Sequence, residues 1–127
     1  MSALQVLLVE DNLLNRILAR DVLEQDGHQV IEASTVEEGW QRIQEAKPDV
    51  VLLDVQIPGG GGEALLHRIR QNEALASVPI VAVTASAMQG DRDHLLRSGF
   101  DGYLSKPIDT RTFAGEITAL VRRGRGA

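Results

Sequence analysis

The sequence predicts an α/β fold in which a doubly wound, five-stranded parallel sheet lies between two layers of helices. Short aliphatic runs alternate with longer segments of helical periodicity, and the runs themselves are too short to be helices. Two of the runs are apolar at consecutive positions. Burial on both faces explains such a run, and it is typical of the central strands of a parallel sheet.

The predicted strands consist mostly of Val, Ile and Leu, which favour extended backbone. The longest stretches made only of Val and Leu are Val6–Val9 and Val50–Leu53, with four residues each, so the sequence predicts no membrane span. The five strands are predicted at Leu4–Val9, Gln29–Ala33, Val50–Leu53, Ile80–Val83 and Gly102–Leu104.

The helices between the strands are predicted from apolar stripes at helical spacing. The first stripe covers Leu13–Leu23, and Gly27 suits the position just past a helix end. The second helix begins at a capping box formed by Thr35 and Glu38 and stops before Pro48. The remaining stripes are Leu65, Leu66 and Ile69, then Leu95 and Leu96, and finally Phe113, Ile117, Leu120 and Val121.

The composition is that of one globular domain with a negative charge, because 127 residues is the usual size of a domain. Eighteen acidic residues against 13 Lys and Arg give a net charge of −5, and aromatic residues are few, so direct binding of nucleic acid is not expected. The absence of cysteine excludes disulfides, thiolate metal sites and cysteine nucleophiles. Residues 1–5 lack the basic region of a secretory signal, and a soluble, cytoplasmic domain is expected.

The predicted domain covers residues 1–123 and is followed by a short tail, residues 124–127. No linker or internal repeat interrupts it, and because the chain starts with Met1 we expect a standalone protein. The basic residues Arg122–Arg125 are interpreted as complementing the dipole of the last helix.

Reactive or phosphate-binding residues follow four of the five predicted strands. They are Glu10 and Asp11 after the first strand, Asp54 after the third, Thr84 after the fourth, and Ser105 and Lys106 after the fifth. The carboxyl ends of parallel strands share one edge of a sheet, where ligands bind near the point at which the strand order reverses. We therefore expect these side chains to lie close together.

These residue types form a coherent chemical set. Carboxylates brought together repel one another, and a hard divalent cation such as Mg²⁺ relieves the repulsion. A carboxylate is also a nucleophile that forms an aspartyl phosphate, and Asp54 suits that role. The charge that develops on a transferred phosphoryl group needs cations and donors around it, for which Lys106 and Thr84 are suited.

Four segments of the chain, in this order and spacing, resemble a response-regulator receiver domain of two-component signalling. They are Leu7–Asn12, Val51–Pro58, Pro79–Ala85 and Gly102–Pro107, and the resemblance extends to the last helix. Within the family, the chain is most similar to single-domain cell-cycle regulators of the DivK type and to receivers fused to hybrid histidine kinases. The resemblance implies a flavodoxin-like (βα)5 fold with strand order 2-1-3-4-5.

The resemblance also implies a role for each site residue. Asp54 is expected to be the phosphorylation site, with Lys106 contacting the phosphoryl group and a cis peptide bond between Lys106 and Pro107. Thr84 and Tyr103 are expected to form a switch pair. The ligands expected for Mg²⁺ are Glu10, Asp11, Asp54 and the backbone carbonyl of Gln56.

The partners implied are a histidine kinase or histidine phosphotransfer protein as donor, and a downstream protein that docks on the surface of the fourth helix, fifth strand and fifth helix. No direct contact with nucleic acid or membrane is implied. The domain's own catalysis is expected to be limited to phosphoryl acceptance and slow self-dephosphorylation. The chain departs from many relatives at Ile57, where Met is common, and at Gly60 and Gly61.

Three other functions were weighed against this one. A phosphatase of the haloacid dehalogenase type needs a second acid two residues after the nucleophile, where this chain has Gln56. An unphosphorylated receiver-like module is expected to lack one of the acids or the lysine, and none is missing. A flavodoxin is disfavoured because Glu10 and Asp11 place carboxylates where a flavin phosphate binds. Separately, Gly59–Gly62 is not interpreted as a nucleotide loop, because no Gly-Lys-Ser/Thr follows it.

Each site residue also has a simpler structural interpretation. The acids at 10, 11 and 54 suit helix caps, Lys106 suits a solvated surface, Thr84 suits a strand, and Tyr103 suits plain packing. Trp40 lies on an apolar helical stripe and is predicted to belong to the core. The histidines show no spacing for metal binding or proton relay and are predicted at the surface; they are His28, His67 and His94.

Overall fold

Strands and helices alternate strictly along the chain in the computed structural model, which describes residues 3–85 and 89–123. The strands are β1 (Gln5–Val9), β2 (Gln29–Ala33), β3 (Val50–Asp54), β4 (Ile80–Thr84) and β5 (Gly102–Ser105). The helices are α1 (Leu13–Gln25), α2 (Val36–Ala46), α3 (Gly62–Gln71), α4 (Gln89–Ser98) and α5 (Phe113–Arg123). The predicted tail, residues 124–127, lies outside the described residues.

The sheet has the order β2-β1-β3-β4-β5, and every neighbouring pair is parallel. The predicted fold class and strand order are therefore confirmed. The chain moves outward from β1 to β2 and then crosses back to β3, so the order reverses between β1 and β3. A crevice at the carboxyl ends of these two strands is where open α/β sheets bind ligands.

Two hydrophobic layers cover the sheet, one on each face. One layer joins Leu7 and Leu53 of the sheet to Ile43 of α2, Leu65 of α3 and Leu95 of α4. The other joins the alternate strand residues to α1 and α5 through Leu23, Phe113 and Ile117. Strands β3 and β4 are buried at every position, as the consecutive apolar residues predict. The layers hold the strands rigidly, so side chains at the strand ends have fixed positions.

The strand ends differ from the prediction by one residue in a way that matters for the site. Strands β3, β4 and β5 continue to Asp54, Thr84 and Ser105, so these polar residues belong to the hydrogen-bonded sheet. Sequence pattern misses this because a polar side chain interrupts an apolar run, whereas the ladder of backbone hydrogen bonds continues through it. Asp54 and Thr84 are consequently buried, at 5% and 4% exposure.

The helix starts are capped by side chains other than the acids at the sheet edge. Asn12 caps α1, its side chain accepting from the amide of Asn15 at 3.0 Å. Thr35 caps α2 as predicted, while the Glu38 carboxylate accepts from the amide and hydroxyl of Ser34 instead of closing the box on Thr35. Those hydrogen bonds from Ser34 hold the pKa of Glu38 below its ordinary value.

The glycine run before α3 is required by the backbone. Gly59, Gly60 and Gly61 all have positive φ, between 86° and 116°, a region that other residues rarely adopt. A Cβ at Gly62 would lie 2.8 Å from the carbonyl oxygen of Asp54. The run therefore lets α3 start directly against the end of β3.

The burial of His28 and Trp40 differs from what the sequence predicts. His28 is buried, not at the surface: its Nδ1 accepts from the amide of Leu4 at 3.0 Å, and its Nε2 lies 3.1 Å from the Asp26 carboxylate. Trp40 packs against the core but is half-buried, with the Arg68 guanidinium 4.8 Å from its ring centre. None of the helices in the described part of the chain is long and apolar enough to span a membrane.

Candidate functional site

Three carboxylates meet at the edge of the sheet where the strand order reverses. Glu10 and Asp11 follow β1, and Asp54 ends β3. One carboxylate oxygen from each lies within 4.8 Å of the others. Glu10 and Asp54 are buried, whereas Asp11 is exposed, so the cluster opens to solvent on the Asp11 side.

Lys106 lies between two of the carboxylates. Its Nζ is 2.8 Å from Glu10 Oε1 and 3.1 Å from Asp54 Oδ2, and its side chain is only 19% exposed. Burial by itself would lower the pKa of Lys106, but the hydrogen bonds to Glu10 and Asp54 raise it above the ordinary value. The ammonium therefore stays charged and pairs with both acids. The peptide bond from Lys106 to Pro107 is cis, as expected.

Asp54 is held in its ionised form despite its burial. Burial alone would raise its pKa, yet hydrogen bonds involving Glu10, the Gln56 amide and Lys106 bring the pKa below the ordinary value. The Gln56 amide donates to Oδ1 at 3.0 Å, and Lys106 contacts Oδ2. Each carboxylate oxygen thus has a donor, which fixes the rotation of the group.

Glu10 shifts in the opposite direction from its neighbour. Burial, together with the hydrogen bond and repulsion from Asp54, raises the pKa of Glu10 above its ordinary value, although Lys106 and the Asn12 amide oppose the change. The Asn12 amide donates to Oε2 at 3.1 Å. Two adjacent buried acids with opposite pKa shifts indicate that the pair has too little positive charge for both to ionise easily.

The capping interpretation of these acids does not account for their positions. The cap of α1 is Asn12, and α3 begins at Gly62 after Gly61, which makes no side-chain cap hydrogen bond. Instead, the carboxylates of Glu10 and Asp54 face each other across Lys106. Burial of two acids beside one lysine is costly, and such arrangements are concentrated at functional sites.

The donor set fits a hard divalent cation. It consists of three carboxylates against one ammonium, all at one edge of the sheet, so negative charge exceeds positive charge in the cluster. Oxygen ligands are those that Mg²⁺ prefers, and it keeps several waters, so the open side at Asp11 suits it. This cluster could therefore hold a metal ion. A role for the Gln56 carbonyl as a further ligand stays a prediction.

The predicted switch residues lie on the face of the sheet that packs against α2, α3 and α4. Thr84 ends β4, and its carbonyl accepts from the Lys106 amide at 2.8 Å. Tyr103 pairs in register with Ala82, two residues before Thr84, so both side chains point to the same face. The Tyr103 ring is half-buried, and the Arg92 guanidinium lies 5.1 Å from its centre. Their coupling stays a prediction.

An apolar pocket opens beside the carboxylates, between α1 and the chain after β5. Its lining runs from Asp54 and Lys106 outward to Leu18, Ile108 and Phe113. The neighbouring surface of α1 is unusually apolar, with Leu13, Leu14 and Leu18 exposed at 57%, 77% and 40%. These leucines were predicted on the apolar stripe of the first helix, but they face solvent next to the acidic cluster.

Two contributors to the site were missed from the sequence. Asn12 both caps α1 and donates its amide to Glu10. Arg16, one turn further along α1, donates to the backbone carbonyl of Glu10 at 3.0 Å. The available signal was the spacing, because a cap and a residue four positions later lie on the same side of a helix.

Comparison with known proteins agrees with this arrangement. The chain is 37% identical over 116 residues to the polar-differentiation response regulator DivK of Brucella ovis, covering 91% of this chain and 94% of that protein. The DivK of Brucella anthropi is 36% identical over the same length.

Solved structures share the fold. The chemotaxis response regulator CheY4 of Vibrio cholerae has a TM-score of 0.88 at 24% identity, covering 94% of this chain and 99% of that one. A CheY-like response regulator receiver domain protein from Methanospirillum hungatei has a TM-score of 0.84 at 24% identity, with 96% of each chain covered. The sequence profile of the response regulator receiver domain matches residues 6–118. The chain is therefore a member of the response regulator receiver domain family and is DivK-like.

Proposed function

We propose that this receiver accepts a phosphoryl group on Asp54 from a histidine kinase or histidine phosphotransfer protein, with Mg²⁺, and thereby switches partner binding in a phosphorelay. The observation that carries the proposal is the Asp54 carboxylate, buried at the end of β3, kept ionised, and in contact with Lys106. A nucleophile must be ionised and positioned, and a buried acid without such contacts is neither.

The transfer needs one bond exchange at phosphorus. A carboxylate oxygen of Asp54 forms the new P–O bond while the P–N bond to the donor imidazole breaks, and the imidazole keeps the electron pair and takes up a proton. Oδ2 is the proposed nucleophile, because its partner is the Lys106 ammonium, which can move to the phosphoryl oxygens, whereas Oδ1 accepts from the Gln56 backbone amide. Lys106 then pairs with the phosphoryl oxygens, and Thr84 supplies a neutral donor.

Glu10, Asp11, Asp54 and the Gln56 carbonyl are the proposed Mg²⁺ ligands. When bound, the ion supplies positive charge that offsets the negative charge developing on the transferred group. A phosphatase of the haloacid dehalogenase type needs an acid two residues after its nucleophile, and this chain has the exposed Gln56 at that position. Catalysis by this domain is thus proposed to end at phosphoryl acceptance and slow self-dephosphorylation, in the cytoplasm and without direct contact with nucleic acid.

The test of this function is phosphorylation by a small donor. Incubation with acetyl phosphate and Mg²⁺ should give a slower band in phosphate-affinity electrophoresis, and omission of Mg²⁺ should remove most of it. Borohydride trapping followed by mass spectrometry should place the modification on Asp54. A phosphoryl group on another residue, or none at all, would contradict the proposal.

The exposed leucines of α1 support a protein as the physiological donor. Three large apolar side chains of α1 are at least 40% exposed and lie next to the pocket that leads to Asp54. Covering this apolar surface with a partner protein is favourable, because it removes the side chains from water. A phosphohistidine on a helical partner reaches Asp54 only if that partner docks beside the site. We therefore propose this α1 surface, with Leu14 at its most exposed point, as the docking surface for the donor.

Leu14→Glu should reduce phosphotransfer from a phosphohistidine donor protein at least tenfold, because it places a charge in an apolar contact worth about 1.5 kcal/mol or more. Acetyl phosphate needs no docking surface, so its labelling of the variant should equal that of the parent. Leu96→Glu on α4, at a leucine of 45% exposure away from this pocket, is the matched control. Equal protein-donor rates in the parent and Leu14→Glu would contradict this docking surface.

The proposed switch runs from the phosphoryl group through Thr84 to Tyr103. A phosphoryl group at Asp54 adds acceptor oxygens at the sheet edge, and movement of the Thr84 hydroxyl toward them leaves space that the Tyr103 ring fills. Inward rotation of Tyr103 changes the surface of α4, β5 and α5, where a downstream protein is proposed to dock. Only a difference in binding between the two states shifts the population, and a tenfold preference needs about 1.4 kcal/mol.

Thr84→Ala should still accept phosphate at Asp54 but should couple it poorly to Tyr103. The measurement is the NMR chemical shift of Tyr103 with and without beryllofluoride, a phosphoryl mimic. The parent should show large shifts and Thr84→Ala small ones. Large and identical shifts in both proteins would refute the coupling and leave the phosphoacceptor proposal intact.

A further inference from the structure

Arg16 connects the acidic loop after β1 to strand β2. Its NH1 group donates to the Glu10 carbonyl oxygen at 3.0 Å, and its Nε donates to Glu32 Oε1 at 3.1 Å. The side chain is 20% exposed, so both bonds are partly shielded from water. Glu32 also accepts from Arg20 at 3.1 Å through its other oxygen. The carboxylate of Glu32 is thereby fixed between two guanidinium groups.

The bond to the Glu10 carbonyl completes the immobilisation of that residue. The Glu10 amide donates to the Ala33 carbonyl at 3.0 Å, and its carboxylate is held by the Asn12 amide and Lys106. The carbonyl of Glu10 lies in the same rigid peptide plane as the amide of Asp11. The guanidinium therefore fixes the plane from whose two ends the Glu10 and Asp11 side chains project.

We propose that Arg16, oriented by Glu32, is a positioning residue that fixes the Glu10–Asp11 peptide and so sets the affinity of the acidic cluster for Mg²⁺. The inference rests on the proposed function, because it takes that cluster to be the metal site. It adds a residue that touches neither the metal nor the phosphoryl group. Groups that orient ligand residues in this way typically change metal affinity 10- to 100-fold when they are replaced.

A positioning role and a purely electrostatic role predict opposite changes in Mg²⁺ affinity when Arg16 is lost. A cation near the carboxylates repels Mg²⁺, so loss of Arg16 would strengthen metal binding if charge were its main effect. If the guanidinium positions the loop, its loss weakens metal binding instead. Lysine separates the two, because it keeps the charge but lacks the planar group that reaches Glu10 and Glu32 together.

The experiment compares Arg16→Lys with Arg20→Lys, a control on the same helix that also contacts Glu32 but not Glu10. We expect the Mg²⁺ dissociation constant, from NMR titration of amide shifts, to rise about tenfold in Arg16→Lys. In Arg20→Lys it should stay within twofold of the parent. An Arg16→Lys affinity equal to or tighter than that of the parent would overturn the proposal.

A metal-free measurement makes the test independent of the ion. Hydrogen exchange of the Glu10 and Asn12 amides, which donate to the Ala33 carbonyl and the Glu10 carboxylate, should be faster in Arg16→Lys than in the parent and unchanged in Arg20→Lys. Thermal unfolding should confirm that all three proteins are folded. Unchanged exchange in Arg16→Lys would refute the positioning role. If instead Asp11→Asn binds Mg²⁺ as the parent does, the metal lies elsewhere and the proposed function itself fails.

Discussion

Asp54→Asn should abolish labelling by acetyl phosphate while leaving the fold intact. Asparagine has nearly the same shape, and its side-chain oxygen can still accept from the Gln56 amide, so the local hydrogen bond at 3.0 Å is retained. What is lost is the negative charge that makes the carboxylate a nucleophile. We expect no slower band in phosphate-affinity electrophoresis, at any Mg²⁺ concentration.

The matched control is Asp21→Asn, the same chemical change on the exposed face of α1. Asp21 pairs only at the surface, 3.5 Å from Arg20, and should be labelled like the parent. Labelling of Asp54→Asn at the parent level would remove this residue from the mechanism. Loss of labelling in both variants would show that the substitution acts through the fold.

The same variant should flatten the dependence of stability on pH in the absence of Mg²⁺. The pKa of Asp54 lies below its ordinary value of 3.8, so its contribution to stability is present above that pH and is lost as the pH falls through the folded-state pKa. The pKa of Glu10 lies above its ordinary value of 4.5, so its contribution is present below that pH and is lost as the pH rises.

Asparagine removes the loss of stability that Asp54 causes as the pH falls. Because it also removes the repulsion on Glu10, it reduces the loss of stability that Glu10 causes as the pH rises. The free energy of unfolding, measured with urea between pH 3 and 8, should therefore vary less in Asp54→Asn than in the parent. An unchanged loss of stability on the alkaline side would show that Asp54 does not raise the pKa of Glu10.

The sheet and the convergence of its polar ends were predictable from the sequence because both follow from local patterns. Runs such as Val50–Leu53 are typical of a strand buried on both faces, and parallel strands bring their carboxyl ends to one edge. Because Asp54 ends one strand and Lys106 directly follows another, the sequence was enough to predict that the two side chains meet. Their distances from Glu10 depend on strand order, which the resemblance implied, and on register, which only the structure gives.

Side-chain contacts between elements distant in the chain were not predictable. His28 was predicted at the surface because the histidines show no spacing for a shared site, yet its ring accepts from an amide 24 residues away. Arg16 reaches Glu32 only because β1 pairs with β2 in a particular register. In the same way, Gly62 was noticed as part of a run, but the close approach to Asp54 that requires it is visible only in three dimensions.

Arg70→Met should cause the largest loss of stability among the substitutions considered. The guanidinium of Arg70, on α3, donates to the carbonyls of Ala76 at 3.1 Å, Val78 at 2.7 Å and Gly99 at 3.0 Å. It also donates to the Asp101 carboxylate at 2.7 Å. Arg70 and Asp101 are each only 13% exposed, so one side chain ties together two loops at the amino end of the sheet.

Methionine keeps the length and packing of the side chain but removes every donor. Asp101 would then keep the Ile80 amide, at 2.8 Å, but lose the Arg70 guanidinium. Removing one partner of a shielded ion pair typically costs about 3 kcal/mol, which for a chain of this size lowers the melting temperature by roughly 10 °C. The Arg70–Asp101 pair lies at the edge opposite Asp54, so acetyl phosphate should still label the folded variant.

Arg68→Met, two residues earlier on α3, is the control for the loss of a charge on this helix. Arg68 pairs with Glu37, a side chain that is 76% exposed, and stacks on Trp40, so its replacement should cost less than about 1 kcal/mol. Urea unfolding of both variants, and of Arg70→Met combined with Asp101→Asn, measures the coupling directly. Because the double variant removes both members of this ion pair, its loss should be smaller than the two single losses combined. Equal losses in Arg70→Met and Arg68→Met would mean that the loops at this edge are held by packing, not by the guanidinium.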